Sequence, residues 1–111
     1  MKVAEFLENV TFNEGNKPAV SMLLETDFSK EIRIVFEKGQ IMKDHKAPFA
    51  IIVQVLKGSI DFGVDGEILQ LKAGDLITLK PSVVHNLTAL AESIVRLSLS
   101  KADTVQRVES V

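Results

Sequence analysis

From residue 18 to residue 100 the chain is cut into apolar or alternating runs of four to eight residues, and no separator is long enough to hold a crossover helix. Parallel βαβ units need such a helix, so they are excluded. Short strands at regular spacing predict an all-β sandwich or barrel. Runs are read at residues 19–24, 31–37, 50–56, 67–71, 76–79, 83–90 and 94–100, with Ile60 and Phe62 alternating against Ser59, Asp61 and Gly63. Between them, the tetrapeptide VDGE at residues 64–67 carries an Asp-Gly pair, the strongest short-range hairpin signal in the chain. Residues 50–56 are apolar except for Gln54, the pattern of a strand covered on both faces. If Ile51 points inward, the two-residue period sends Val53 and Val55 inward and Gln54 outward. Gln54 is then expected to hydrogen-bond between sheets or at a subunit interface.

The two ends are less strongly patterned. Val3, Phe6, Leu7 and Val10 have helical spacing, yet so short a pattern equally fits an extended edge strand. The polar tail, KADTVQRVESV at residues 101–111, is expected to be loosely ordered or packed on a partner.

A chain of 111 residues implies one domain, residues 1–111. Folding at this size buries roughly 65% of the unfolded chain's surface, enough for one core without staples. With no cysteine, disulfides, thiolate metal sites and cysteine nucleophiles are excluded. A net charge of −2 with both signs well mixed advertises no face to nucleic acid. Residues 1–10 carry Glu5 and Glu8 where a signal peptide would need an apolar run. The longest fully apolar run covers residues 48–53, far short of a membrane span. A soluble cytoplasmic protein is therefore expected.

Two stretches carry chemistry. The first runs from Gly39 over five residues to His45, then Lys46 and Ala47, and ends at Gly58. The second is GDLITLKPSVVH, Gly74 to His85. Together they resemble the two motifs of the cupin superfamily. The first family motif is glycine, five residues, His-x-His, three or four residues, glutamate, six residues and glycine. The second is glycine, five residues, proline, one residue, glycine, two residues and histidine, with an asparagine four further on. The likeness covers about residues 30–100, and the segment between the motifs, residues 59–73, has the family's minimal length. It implies a double-stranded β-helix, the cupin jelly-roll barrel, in a single domain.

Several positions depart from the family pattern. Ala47 stands at the second histidine position and Ile51 at the glutamate position. In the second motif Lys80 and Ser82 replace proline and glycine, Pro81 comes one place late, and Ala89 takes the asparagine position. Metal-binding cupins converge three histidines and a carboxylate inside the barrel, and of those four only His45 and His85 remain here. Catalytic metal sites generally use three protein ligands and keep a position open. No metal cofactor is therefore expected; if one is held, His45 and His85 hold a divalent transition metal weakly.

Taken with the resemblance, these residues lead to an expected apolar pocket lined by His45, Ala47, Ile51, Val53 and His85, on the rule that polar groups converging in an apolar cavity mark a ligand site. Arg33 and Arg96 lie mid-strand among apolar residues and are expected to pair with a carboxylate such as Glu31 or Glu37, or to contact an anion. No glycine-rich phosphate loop or nucleophile elbow is present. With no Tyr or Trp and six Phe, a stacking platform for sugars or bases is poor. The expected protein is a small bacterial-type cupin without enzymatic activity, binding a small molecule or saccharide or serving as a sensory or assembly module. One alternative is a metal-dependent cupin enzyme, dioxygenase or isomerase, with an atypical His45/His85 site. Another is a stability or interaction protein whose cavity is filled by its own side chains. Fold does not choose among these. A homodimer built by sheet extension is also expected, because the runs at residues 19–24 and 50–56 offer edge or apolar surface to cover.

Overall fold

Alternate side chains of the strands meet in one shared interior. The computed structural model describes all residues, 1–111. In chain order the elements are β1 (Ala19–Glu25), β2 (Ser29–Phe36), β3 (Ile41–His45), β4 (Ile51–Lys57), β5 (Ser59–Val64), β6 (Glu67–Lys72), β7 (Leu76–Leu79), β8 (His85–Ala89), β9 (Ser93–Ser100) and α1 (Val105–Glu109). The strands build two antiparallel sheets, ordered β1-β2-β9-β4-β7 and β3-β8-β5-β6. This is the single-domain double-stranded β-helix expected from the sequence.

Period-two alternation places the core. Ile32, Ile34 and Phe36 of β2, Val53 and Val55 of β4, and Val95, Leu97 and Leu99 of β9 are all buried in one cluster. Ile60 and Phe62 of β5 and Leu87 and Ala89 of β8 close it from the second sheet. The VDGE turn joins β5 to β6, with Asp65 at φ 52° and Gly66 at φ 74°, the two left-handed residues that a tight hairpin of this hand requires.

Along β4 the expected parity is observed: Ile51, Val53 and Val55 are buried, and Gln54 is on the opposite face beside Arg96 and Leu76. That opposite face is less covered than expected. Ile52 is 42% exposed, Gln54 and Leu56 are half-buried, and the Gln54 amide makes no hydrogen bond within the chain. The strand is thus covered on one face by its own fold, not on two.

Among the outward-facing residues, Glu31 is buried. Its carboxylate accepts from Arg96 Nε at 2.9 Å, from Ser29 Oγ at 2.7 Å and from Ser98 Oγ. Burial pushes its pKa up, but these three donors and the Arg96 charge together hold it below the usual carboxylate range. Arg96 therefore has the expected acidic partner. Arg33 does not: its guanidinium donates to the backbone carbonyls of Glu8 and Asn9.

Those two bonds fasten the N-terminal segment to the barrel. Residues 1–18 form neither the helix nor the edge strand that their spacing left open. Gln40, 3% exposed, donates its amide to the carbonyls of Asn13 and Gly15 and pins the same segment from the other side. The tail also departs from expectation. Thr104 caps α1 by accepting from the Arg107 amide, and Val108 is 2% exposed, so residues 101–111 fold back on their own barrel.

Gly58 ends the first motif at φ 88°, where a side chain is strained. A Cβ there would lie 2.3 Å from the Glu92 carbonyl oxygen and 2.2 Å from Ser93 Oγ. Gly58→Ala is therefore expected to cost on the order of 3 kcal/mol or to abolish folding, as read by urea denaturation.

Candidate binding site

The site is assembled by two irregularities in regular strands. Between Met42 and His45 the β3–β8 register shifts, and the shift brings His45 directly opposite His85. His85 opens β8 after a turn in which Ser82 adopts φ 67° and donates its amide to the Ala47 carbonyl at 2.8 Å. Serine thus keeps the left-handed backbone at the position where the cupin motif carries glycine. The loop geometry survives that substitution, and the histidine is delivered to the interior.

The two imidazole centroids are 4.1 Å apart with planes tilted by 58°. Phe62 stacks on His85 at 5.6 Å between centroids, 13° from parallel. Each Nδ1 faces a backbone carbonyl, His45 to Lys43 at 2.6 Å and His85 to Val83 at 2.9 Å. A carbonyl only accepts, so each Nδ1 carries the hydrogen and each Nε2 keeps its lone pair.

Burial also keeps the pair neutral. His85 is 3% exposed, and desolvation lowers its pKa to about 4, with the nearby His45 and Arg107 acting in the same direction against the Val83 carbonyl. Desolvation likewise lowers the pKa of His45, with Arg107 adding to it, while the Lys43 carbonyl and Asp44 oppose. Asp44 does not join the pair as a ligand, because its carboxylate accepts from Asn86 Nδ2 at 2.8 Å.

Ala47, Ile51 and Val53, the other expected lining residues, are 4%, 4% and 3% exposed and belong to the hydrophobic core. They are packed core residues and carry no side-chain donor atom. Nowhere do three or more His, Cys, Asp or Glu side chains come together as a metal-binding group. Two imidazoles without a carboxylate do not fit a catalytic metal centre of the three-ligand kind.

Sequence reasoning missed two residues of the site. Phe62 was legible only as an inward residue of an alternating strand, and its stacking on His85 depends on the pairing of β5 with β8. Arg107 gave no signal at all within a polar tail. Its guanidinium is bound by Asp103 through Nε and Nη2, both at 2.8 Å, and Nη1 donates to the Lys46 carbonyl at 3.3 Å. An open cleft of about 660 Å³ lies beside the β5–β6 turn, lined by Asp44, Val83 and Asn86 among others, and neither histidine lines it.

The family model for the AraC-like ligand-binding domain matches residues 34–100. The chain belongs to this family. That match spans both histidines, Ala47, Ile51, Val53 and Phe62, and stops before α1. None of the curated proteins matches the sequence significantly. Among solved structures, an RmlC-like cupin from Desulfovibrio desulfuricans is similar with TM-score 0.81 and 22% identity, covering 90% of this chain and 96% of its own. An RmlC-like cupin from Shewanella frigidimarina is similar with TM-score 0.77 and 25% identity, covering 100% and 97%. KdgF from Halomonas sp. is similar with TM-score 0.75 and 18% identity, covering 90% and 93%. These likenesses agree with the cupin barrel of this AraC-like domain.

The depressed histidines make stability depend on pH. Unfolded histidine binds a proton below about pH 6.5, and folded His85 does so only below about 4. In that window the unfolded state holds more protons, so stability is full above it and falls as pH drops through it. For His85 the loss by pH 4 is on the order of 3 kcal/mol. Glu31 and Asp103, whose pKa values are held low, begin to lose their contribution only as pH falls to the ordinary carboxylate range, at the acid end of this window and below it. Thermal melts from pH 7 to pH 4 are expected to show a steady decline that His85→Phe largely removes.

Proposed function

We propose that this protein is a metal-free module that binds small hydroxylated molecules, saccharide fragments among them, and is not an enzyme. The observation that carries this reading is the hydrogen-bonding state of the histidine pair. Both Nδ1 hydrogens are committed to the Lys43 and Val83 carbonyls, so His45 and His85 offer acceptors only. A molecule seated against them has to donate, as a hydroxyl does and a carboxylate does not. Ala47, Ile51, Val53 and Phe62 supply the apolar wall, the usual character of a small-molecule site with a few convergent polar groups. Membership of a ligand-binding domain family is consistent with the same role.

The same free Nε2 lone pairs favour a second reading, an atypical two-histidine metal site serving a dioxygenase or isomerase. The apolar side chains at Ala47 and Ile51 weigh against it, since a dication there would be desolvated without compensating charge. Elemental analysis of protein purified without added metal separates the two. Substoichiometric metal is expected. Stoichiometric iron, manganese, nickel, copper or zinc that disappears in His45→Ala and His85→Ala overturns the metal-free reading. In parallel, thermal-shift titration with polyols and saccharides is expected to find saturable stabilisation, about 2.7 kcal/mol at 100 times Kd, that His85→Phe abolishes.

We further propose a homodimer. Ile52 at 42%, Leu76 at 62% and Phe28 at 78% exposure leave the five-stranded sheet with uncovered apolar surface. Light scattering at micromolar concentration is expected to give twice the chain mass, and a monomer would refute the proposal.

A further inference from the structure

We infer that α1 is a displaceable plug beside the histidine pair, so that His85 is shut off in this conformation, while His45 stays partly exposed, and becomes accessible when the helix lifts away. The inference depends on reading the histidine pair as a binding site, and it adds the means by which access is controlled.

Position is the first support. Val108 is buried in the same cluster as Met42, which shares β3 with His45, and Ala47, two residues after it. Arg107 reaches the carbonyl of Lys46, the residue after His45, and its charge acts on both imidazoles. The helix packs beside β1 and reaches through Arg107 to the chain segment that carries His45.

Attachment is the second. No backbone hydrogen bond joins residues 104–111 to any strand. The two Asp103–Arg107 bonds are internal to the tail and persist when it moves. Lys30 Nζ donates to the Asp103 carbonyl and so holds the hinge ahead of the helix, leaving the helix itself free. What docks α1 is one long side-chain bond, Arg107 to Lys46, with Val105, Val108 and Val111 against the core. The barrel, in contrast, is laced by strand ladders throughout.

Room to move is the third. A cavity of about 390 Å³ lies beside α1, with Val108, Glu109 and Val111 on one side and Val20, Val35 and Met42 on the other. An element packed on every side is held by its neighbours, whereas one bordered by an open cleft is held on fewer sides. A five-residue helix has no stability of its own once undocked, so lifting exchanges a small set of contacts for a flexible tail. A ligand that occupies the space of Val108 covers the apolar wall the helix leaves.

Access to His85 tests the inference with the full chain. Diethyl pyrocarbonate acylates the free Nε2 of a neutral imidazole, and peptide mass spectrometry reads His85 separately from His45. Val108→Asp is expected to raise the His85 modification rate on the order of tenfold, because undocking replaces rare local opening as the route of access. Thr104→Ala, at an exposed cap residue, is expected to raise it by a smaller factor with the barrel's melt retained. Unchanged His85 reactivity in Thr104→Ala overturns the plug, as does an equal rate in a folded Val108→Asp. If Val108→Asp loses its cooperative melt, Thr104→Ala decides alone. Hydrogen exchange adds an independent reading: the amides of residues 106–111 are expected to exchange far faster than those of β2 and β9, and equal protection refutes the inference. An opened variant whose His85 reacts readily yet binds no polyol or saccharide leaves the plug standing and defeats the ligand reading instead.

Discussion

One apolar interior, shared by two facing sheets, is the constraint to which the other features answer. Phe36, Phe62, Ile32, Ile60, Val55 and Val95 have almost no exposed surface, and each is delivered there by the two-residue period of its strand. A one-residue slip anywhere in β2, β9 or β4 would turn a whole row of these side chains to water. The register is therefore held by burial, and the positions of both histidines follow from it. His85 is inward because Leu87 and Ala89 are inward on the same strand. His45 reaches the same level only because a register shift in β3 corrects its parity.

Placing two imidazoles in that interior has electrostatic consequences. Asp44 favours the charged form of both rings, but desolvation outweighs it and keeps them neutral, and each ring is oriented by a main-chain carbonyl. The substitutions at Ala47 and Ile51 match this state, since they remove the groups that would have balanced a dication and leave hydrocarbon in their place. Glu31 shows the opposite solution on the outer face of the five-stranded sheet, where three donors keep a buried carboxylate charged.

Much of this was legible in the residues. The separators, the Asp-Gly turn and the parity of Ile51, Val53 and Val55 all rest on local sequence rules, and each is observed. Motif spacing brought His45 and His85 to one site even though half of the motif residues differ. β3 was not legible, because IMKDH carries three polar residues and buries only Met42 fully. Nor was the register of the ends. The N-terminal segment is held by main-chain carbonyls accepting from Arg33 and Gln40, and side-chain patterns carry no trace of such bonds. Arg33 illustrates the same limit: a mid-strand arginine calls for an acceptor, but carbonyls 24 and 25 residues away satisfied it where a carboxylate was expected.

The sequence by itself determined the all-β class, the cupin barrel, and the loss of two of the family's four metal-ligand positions. The all-β class follows from periodicity and turn chemistry, which act over a few positions, and the barrel and the ligand positions are what the motif resemblance implies. Only the tertiary structure decided that the two histidines are neutral and adjacent with His85 stacked on Phe62, and that the polar tail ends as a helix with Val108 in the core. Desolvation, ring geometry and the docking of a distant segment depend on what surrounds a residue in space, and residues 45, 62, 85 and 107 are brought together only by the closed barrel.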